Sequence, residues 1–374
     1  MKGILITTAG IPRSLSDFLP DNGLASLATC LIKEGVDVKI FDFNLPSIFD
    51  EIYPVNVKNF LESFSSKIFI EKKKPSIFDL VKLKIISSIL EKNKKNYIEK
   101  LKNFVYENVE KEKADFVGFK LWAGDGFEWS LEIGRYLKKK KPELKIFGGG
   151  PQVDTFEHWI FEVGDFFDAL CYGEGEKTII ELSKFVQKKK KLSEIPNLIY
   201  RENGKIVKTE REYIENLNDL PIPVYEPEIY WKIDKRIKMI VLDESRGCPN
   251  ACFFCIHPKK SGKRKEKTID RIIEEIKFYK NKYGVNLFRF AGSSTPGDLI
   301  EKISKRIKDE KINIQFTSFG HVEEFKNINF SLLREGGCVA LFYGIETANE
   351  EILIKGMNKN LKKEIVRSEE HTSE

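Results

Sequence analysis

Three cysteines within eight residues are the strongest chemical signal in the chain. They are Cys248, Cys252 and Cys255, in the run Ser-Arg-Gly-Cys-Pro-Asn-Ala-Cys-Phe-Phe-Cys. The spacing i, i+4, i+7 would also place them on one face of a helix, but Gly247 and Pro249 favour a loop. Three thiolates with His257 as a fourth ligand are a possible zinc site. They also suit a 4Fe–4S cluster, which normally takes four thiolates, so that three leave one iron open to bind a substrate.

The composition indicates a globular protein of two or three domains. Of 374 residues 41% are hydrophobic, and 63 Lys and Arg nearly balance 57 Asp and Glu, leaving a formal charge of +6. The Lys runs lie at the ends of helix-like stretches, where solvent exposure is the ordinary outcome, so no nucleic-acid partner is indicated. No apolar run approaches the roughly 18 residues of a membrane span, and residues 4–6 are too short for a signal-peptide core. We therefore expect a cytoplasmic protein without a membrane partner.

The cysteine spacing, C-x3-C-x2-C with an aromatic residue before the last cysteine, resembles that of the radical S-adenosylmethionine (radical SAM) superfamily. The resemblance implies a 4Fe–4S cluster on Cys248, Cys252 and Cys255, with the open iron chelated by the amino and carboxylate groups of S-adenosylmethionine. It also implies an electron donor such as flavodoxin or ferredoxin, because one electron from the cluster yields a 5′-deoxyadenosyl radical. The protein would orient the cofactor and exclude water and oxygen.

Further residues match that family at the ends of predicted strands. Gly292-Ser-Ser-Thr295 follows one strand, where the family holds the methionyl amino group, and Gly344-Ile-Glu346 follows another, where the family contacts the ribose. Ser and Thr after a strand ordinarily form only a turn or a helix cap, but barrel sites do lie at strand carboxyl ends. The resemblance assigns to S-adenosylmethionine the residues Phe254, Gly292, Ser293, Ser294, Thr295, Ser318 and Glu346.

Alternating strand and helix patterns predict two α/β domains. In the first, strands are predicted at residues 3–8, 37–43, 116–121, 145–147 and 169–172, and a helix at 23–34. Residues 47–113 form a Lys-rich, helix-periodic insertion of unknown role. The expected fold class is α/β: a doubly wound, Rossmann-like (flavodoxin-like) domain followed by a partial (β/α) barrel.

A predicted hairpin and a Pro-rich break separate the two domains. Asn203-Gly204, between residues 198–200 and 205–207, predicts a tight turn, and the Leu-Pro-Ile-Pro run at 220–223 is typical of a linker. In the second domain strands are predicted at 237–242, 287–290, 312–317 and 339–343, and helices at 268–282, 297–308 and 323–335. The expected boundaries are 1–196 for the first domain, 197–235 for the hairpin and linker, and 236–366 for the second domain.

Three loops rich in glycine or small polar residues follow strands of the first domain, at the edge where doubly wound sheets bind ligands. Each is ordinarily no more than a tight turn. Together with Asn22-Gly-Leu-Ala-Ser-Leu-Ala and Ala114-Asp-Phe-Val-Gly118, they resemble the cobalamin-binding domain fused ahead of many radical SAM enzymes. The resemblance runs from residue 1 to about 366, outside the insertion. It assigns cobalamin contacts to Thr7, Thr8, Gly148, Gly149, Gly150, Pro151, Gly173, Glu174 and Gly175.

Two features depart from the usual cobalamin pattern. The loop after the first strand lacks the histidine of Asp-x-His-x-x-Gly that binds cobalt from below, and His158, the one histidine of this domain, is more simply a core or surface residue. Lys120 stands where relatives often have Ser or Thr beneath the corrin. We therefore expect cobalamin without a protein histidine as its axial ligand.

The favoured function is that of a cobalamin-dependent radical SAM enzyme. It would transfer a methyl group from methylcobalamin to an unactivated carbon of a small-molecule or natural-product substrate. Two alternatives stay open: radical cyclisation or rearrangement without methyl transfer, and a non-catalytic zinc-binding module.

The barrel pattern stops early. The family barrel has six βα units, whereas the pattern here stops after the fourth. Residues 367–374 differ in composition from the preceding chain and resemble a translated sequencing adapter; the alternative is an ordinary polar terminus. We expect genuine coding sequence to stop near residue 366 and residues 339–343 to form an unpaired, aggregation-prone edge strand.

Overall fold

A computed structural model of the chain describes residues 1–8, 18–236, 238–359 and 361. The expectation of a sequencing artefact at 367–374, with genuine coding sequence stopping near 366, lies outside these described residues.

The first sheet has seven strands. They are β1 (Lys2–Thr7), β2 (Asp37–Asp42), β3 (Phe116–Lys120), β4 (Lys145–Gly149), β5 (Ala169–Cys171), β6 (Leu198–Glu202) and β7 (Lys205–Lys208). Their order is β2-β1-β3-β4-β5-β6-β7. Strands β1 to β5 are parallel in the 2-1-3-4-5 order of flavodoxin-like folds, and β6 and β7 continue the sheet antiparallel. The predicted doubly wound fold is confirmed.

Helices cover both faces of this sheet. They are α1 (Asn22–Lys33), α2 (Pro46–Ile52), α3 (Val55–Ser65), α4 (Ile77–Glu112), α5 (Asp125–Lys140), α6 (Pro151–Phe156) and α7 (Glu176–Val186), with a π-helical turn at Ser66–Ile70. Successive residues of β1 point to opposite faces: Leu5 packs in the core with α1 and α7, and Ile4 and Ile6 pack in the core with α4 and α5. The insertion is helical, as predicted, and α2 to α4 form it.

The segment expected to be a hairpin and linker packs on both edges of the first sheet. Asn203 and Gly204, with φ of 50° and 75°, form the predicted tight turn, and β6 pairs with β5. At the opposite edge, Ile40 N of β2 donates to Ile229 O at 2.7 Å, and Trp231 N donates to Ile40 O at 3.0 Å. Residues 198–208 therefore extend the first sheet at one edge, and residues 229–231 contact its other edge.

The second domain is built on four parallel strands, consistent with a partial barrel. Its strands are β8 (Met239–Leu242), β9 (Ser245–Arg246), β10 (Lys265–Glu266), β11 (Leu287–Phe290), β12 (Gln315–Gly320) and β13 (Cys338–Tyr343), and its helices are α8 (His257–Ser261), α9 (Ile269–Tyr283), α10 (Gly297–Asp309) and α11 (Phe330–Glu335). The sheet order is β13-β12-β11-β8, and β9 and β10 form a separate short ladder. The helix predicted at 323–335 is divided, because Asn329 accepts a hydrogen bond from Leu332 N and starts α11 as a new helix.

One apolar core joins the two domains. Leu31 of α1, Ile240 of β8 and Phe288 of β11 belong to the same buried cluster. Within the described residues, none of the helices combines the length and the hydropathy needed to cross a membrane.

Candidate cofactor site

A cavity of about 1040 Å³ lies between the two domains, at the carboxyl ends of strands from both sheets. The loops after β1, β3, β4 and β5 line it from the first domain, and those after β8 and β11 from the second. The insertion contributes Phe49, Ile52, Tyr53 and Lys94 to the wall of the cavity. The volume reaches the upper end of ligand pockets, roughly 1000 Å³, so it suits a large cofactor.

Eight of the nine residues predicted to contact cobalamin line this cavity. They are Thr8, Gly148, Gly149, Gly150, Pro151, Gly173, Glu174 and Gly175. Thr7 is fully buried outside the lining, and the Thr8 hydroxyl donates to Gly126 O at 2.5 Å. Gly150 has a φ of 94°, a conformation in which a side chain is strained. The glycine loops therefore offer mainly backbone to a ligand.

Lys120 and the histidines occupy distinct places around the cavity. Lys120 Nζ lies 2.6 Å from Asp21 Oδ2 and 4.8 Å from the Trp122 ring centroid, which fixes a cation on the first-domain wall. The His158 ring lies against Trp159, 4.9 Å between centroids, and outside the cavity lining. The histidine that lines the cavity, among the residues that the structure describes, is His257 of the second domain.

Arg246 ties the two domains together at the cavity wall. Its guanidinium lies 2.7 Å from Glu176 Oε1, 3.4 Å from Glu174 Oε1 and 2.7 Å from Asp243 Oδ2. Burial raises the pKa values of Glu176 and Asp243, but the charge of Arg246 outweighs it, and both pKa values lie below their usual range. The loop after β5 is thus fixed by charge to the strand that precedes the cysteines.

The three cysteines lie on an irregular loop, which removes the core-helix alternative. All three are free and partly buried, and Cys255 N donates to Cys252 O at 3.0 Å. Gly247 begins the loop with a φ of 81°, and a side chain there would lie 2.4 Å from Lys263 O. Glycine is therefore required at that position.

The segment after β13 anchors the cysteine loop from a distant part of the sequence. Phe253 N donates to Met357 O at 3.0 Å, and Asn358 Nδ2 donates to Ala251 O at 2.8 Å. The next residue, Lys359, pairs with Glu346 at 2.9 Å, and its Nζ lies 5.9 Å from the Phe254 ring centroid. The structure thus brings Glu346 and Phe254, both predicted for S-adenosylmethionine, to the same lysine.

The geometry of the zinc alternative is less favourable. In the described part of the chain, no three or more His, Cys, Asp or Glu side chains gather closely enough to hold one metal ion. His257 Nδ1 instead lies 3.0 Å from Ser293 Oγ. A mononuclear zinc site needs its ligands around a single ion, whereas three thiolates of a 4Fe–4S cluster bind three different irons.

A buried carboxyl group, Glu244, gathers three residues predicted for S-adenosylmethionine. It accepts from Thr295 Oγ1 at 2.6 Å and from Gly292 N at 3.1 Å, and Ser318 Oγ donates to Thr295 Oγ1 at 2.8 Å. Burial raises the pKa of Glu244 to about 7. The network fixes the carboxyl ends of β8, β11 and β12 to one another.

Two buried polar atoms at this edge have no hydrogen-bond partner within the described residues: Ser294 Oγ and His321 Nε2. They follow β11 and β12, beside the residues held by Glu244. Buried polar atoms are normally satisfied, so these two fit contacts with a polar ligand.

Two family models match the chain over separate ranges. Residues 89–183 match the B12 binding domain, and residues 245–370 match the Radical SAM superfamily. The chain thus joins a B12 binding domain to a radical SAM domain. The predicted family and its cofactor set, a 4Fe–4S cluster, S-adenosylmethionine and cobalamin, are thereby confirmed at the level of the domains.

Individual relatives of this cobalamin-binding radical SAM chain are distant. It is 31% identical to the uncharacterized methyltransferase PH0819 of Pyrococcus horikoshii, over 66% of this chain and 54% of that protein. It is 22% identical to the anaerobic magnesium-protoporphyrin IX monomethyl ester cyclase of a Synechocystis species, over 62% of this chain and 48% of that protein. The chain spans about half the length of these curated relatives.

The fold of this cobalamin-binding radical SAM chain is shared with a solved structure. The cobalamin-dependent radical enzyme OxsB, with aqua-cobalamin and S-adenosylmethionine bound, superposes with a TM-score of 0.66 at 17% identity. The superposition covers 97% of this chain and 46% of OxsB.

Sequence reasoning missed three residues of the site: Arg246, Glu244 and Lys359. Two acids directly after a buried strand, Asp243 and Glu244, were a usable signal, because barrel sites lie at strand carboxyl ends. Lys359 carried no local signal, since its partners are distant in sequence.

Proposed function

We propose that the chain carries the cofactor-binding part of a cobalamin-dependent radical SAM enzyme that methylates an unactivated carbon of a small molecule. The observation that carries this proposal is the cavity between the domains. Glycine loops of the cobalamin-binding fold line it on one side, and Ser293, from the loop assigned to S-adenosylmethionine, lines it on the other. Both cofactor-binding regions thus open on one space.

The residues take the following roles in this proposal. Cys248, Cys252 and Cys255 hold the cluster, and the loops after β4 and β5 hold the corrin through their backbone. Residues 292–295, Ser318 and Glu346 orient S-adenosylmethionine. When bound, these groups supply a 5′-deoxyadenosyl radical and a transferable methyl group.

The surrounding side chains position these loops and limit water. Arg246 fixes the loop after β5 relative to the cysteine loop. The cysteine loop itself is fixed by the hydrogen bond that Phe253 N donates to Met357 O and by the one that Asn358 Nδ2 donates to Ala251 O. Apolar side chains from the insertion, among them Phe49 and Ile52, line the cavity and reduce the access of water. The electron would come from a donor such as flavodoxin or ferredoxin.

A second candidate function is radical cyclisation or rearrangement without methyl transfer. The similarity to the Synechocystis cyclase supports it. Product mass distinguishes the two: methyl transfer adds one methylene to the substrate, and cyclisation adds none.

Anaerobic reconstitution with iron and sulfide tests the cluster. We expect about four irons and four sulfides per chain, with a brown chromophore, because three thiolates and an open iron complete such a cluster. Cys252→Ala should abolish this uptake. Cys338→Ala, a free cysteine on β13, is the matched control and should retain it. A stoichiometric zinc ion without the chromophore would show that the proposal is wrong.

A further inference from the structure

The insertion carries the four most exposed large apolar side chains of the described residues. They are Phe78 at 87%, Ile77 at 79%, Ile70 at 78% and Phe69 at 77%. Large apolar side chains so exposed, and so close in sequence, mark an interaction surface.

On α4 the exposed apolar residues form a regular stripe. Ile77, Val81, Ile85 and Ile89 follow one another at intervals of four residues and are 79%, 53%, 55% and 39% exposed. The stripe therefore runs along one face of the helix for about 18 Å. Ile86, on another face, is 6% exposed and packs in the core. The helix thus has an inner apolar face that is covered and an outer one that is not.

The segment carrying this stripe is held in a defined conformation. Ser76 and Asp79 form a capping box at the start of α4. Lys67 of the π-helical turn pairs with Asp79 at 2.5 Å, which fixes the turn carrying Phe69 and Ile70 beside the helix. The exposed face is therefore a feature of the folded chain.

Neither cofactor explains the stripe. The match to the B12 binding domain begins at residue 89, the last residue of the stripe, and the radical SAM match begins at 245, so the other three stripe residues lie outside both matches. The insertion lines the cavity with other residues, such as Tyr53 and Lys94, and none of the stripe residues lines the cavity. The stripe is available for another partner.

The charge around the stripe is strongly positive. Residues 66–92 contain seven lysines and three acidic residues. Lys67 and Lys73 pair with acids of the segment, and Lys72, Lys74 and Lys84 form no ion pair with the described residues. The partner should therefore combine an apolar interior with negative charge. A second copy carries the same excess of lysines, and this like charge disfavours it as the partner.

We propose that the stripe and the exposed residues of the adjoining turn dock on the surface of an anionic membrane. The isoleucine and phenylalanine side chains enter the boundary between headgroups and acyl chains, and the lysines contact lipid phosphates. A helix lying in this plane needs no membrane-spanning segment, so the expectation that no membrane partner exists is revised on this surface. The proposal is independent of the reaction that the chain catalyses.

Vesicle co-sedimentation of the full chain tests the proposal. We expect binding to vesicles of phosphatidylcholine mixed with phosphatidylglycerol, little binding to phosphatidylcholine alone, and weaker binding as salt screens the lysines. Ile85→Asp should lower the partition coefficient at least about tenfold, because it places a carboxylate on the stripe. Ser87→Asp adds the same charge to the same helix turn but off the stripe, and should have a much smaller effect. Lys72→Glu/Lys74→Glu should reduce binding to the mixed vesicles without touching the stripe.

Equal partition of Ile85→Asp and Ser87→Asp, with unchanged circular dichroism, would overturn the proposal. If the chain bound neither the mixed vesicles nor the vesicles of phosphatidylcholine alone, the proposal would also be overturned. A dimer that forms at micromolar concentration and is lost in Ile85→Asp would assign the face to a second copy and also overturn it.

Discussion

Glu244 is a fully buried carboxyl group without an ion-pair partner in the described residues. Its oxygens accept from Gly292 N, Thr295 Oγ1 and Ser245 Oγ. Burial outweighs these hydrogen bonds and raises its pKa to about 7. Near neutral pH the group is therefore protonated in a substantial fraction of molecules, and its charge state bears on the loops that it joins.

The raised pKa makes stability depend on pH through this one group. Its usual pKa is 4.5, so the folded state keeps a proton that the unfolded chain loses as pH rises from about 4.5 to 7. The contribution of the protonated Glu244 to the free energy of unfolding is complete below pH 4.5 and is lost as pH rises from about 4.5 to 7. Glu244→Gln cannot ionise, so the fall in unfolding free energy from pH 5 to pH 8 should shrink by about 2 kcal/mol. Urea unfolding at the two pH values measures this.

Glu202→Gln is the control for this prediction, because Glu202 is an exposed glutamate on β6. It should leave the pH dependence as it is in the parent chain. The same fall in the parent and in Glu244→Gln would mean that the buried carboxyl does not titrate as described.

Residue types and spacing predicted the cysteine loop and the glycine loops, since each is compact in the sequence. The pairing of Lys359 with Glu346 and the network of Glu244 were not predictable in this way. They depend on how the ends of β8, β11 and β13 meet in space, and no local pattern records that. Thr7 was grouped with Thr8 by position alone, and only the structure separates the two.

Among the elements, residues 229–236 return to β2 and cover that edge of the first sheet. Asp42, at the end of β2, is fully buried and lies 3.0 Å from the Arg236 guanidinium. The Tyr230 hydroxyl also donates to this carboxylate. Burial raises the pKa of Asp42, while the positive charge of Arg236 opposes that rise. The ion pair between Asp42 and Arg236 thus joins the end of β2 to the segment that covers that edge of the sheet.

Removing one partner of this buried pair should be costly. Arg236→Met leaves the Asp42 carboxylate buried without a cation and should lower the unfolding free energy by about 3–5 kcal/mol at neutral pH. The double variant Asp42→Asn/Arg236→Met should recover much of this loss, because no buried charge remains. Chemical unfolding of the parent and the variants measures both effects. An unchanged single variant, or a double variant as unstable as the single, would contradict this account.

Local patterns predicted the strands and the Asn203-Gly204 turn, because periodicity and turn residues act over a few positions. The linker was different. A Pro-rich run indicates that a helix or strand ends, but does not indicate that the chain then pairs with Ile40, almost two hundred residues earlier. The division of the helix predicted at 323–335 was also not predicted. The apolar residues keep a helical spacing across this range, and Asn329 nevertheless caps a new helix within it.

In the molecule as a whole, β13 forms one edge of the second sheet as far as the described residues show. Val339 and Phe342 on this strand are 58% and 49% exposed. An apolar edge strand is a template for pairing with another chain. The strand predicted at 339–343 is thus present, and its edge is open in the described part of the chain.

A charge on this edge should reduce self-association. Phe342→Lys places a cation on the edge strand and should raise the concentration at which light scattering detects aggregates. Phe156→Lys, at a side chain that is also 49% exposed but lies on α6, is the matched control and should have little effect. Equal effects of the two substitutions would indicate general solubility and not edge pairing.

The ion pairs of Arg246 with Glu174 and Glu176 have a consequence for the rate at which a cofactor enters and leaves the cavity. A ligand in the cavity has walls from both domains, and Arg246 joins those walls by ion pairs to Glu174 and Glu176. Widening the cavity between the domains requires those pairs to break, so the residence time of cobalamin would be governed by domain opening as well as by contacts with the corrin. Cobalamin would then enter fastest while the chain is still folding, before Arg246 has formed its ion pairs with Glu174 and Glu176.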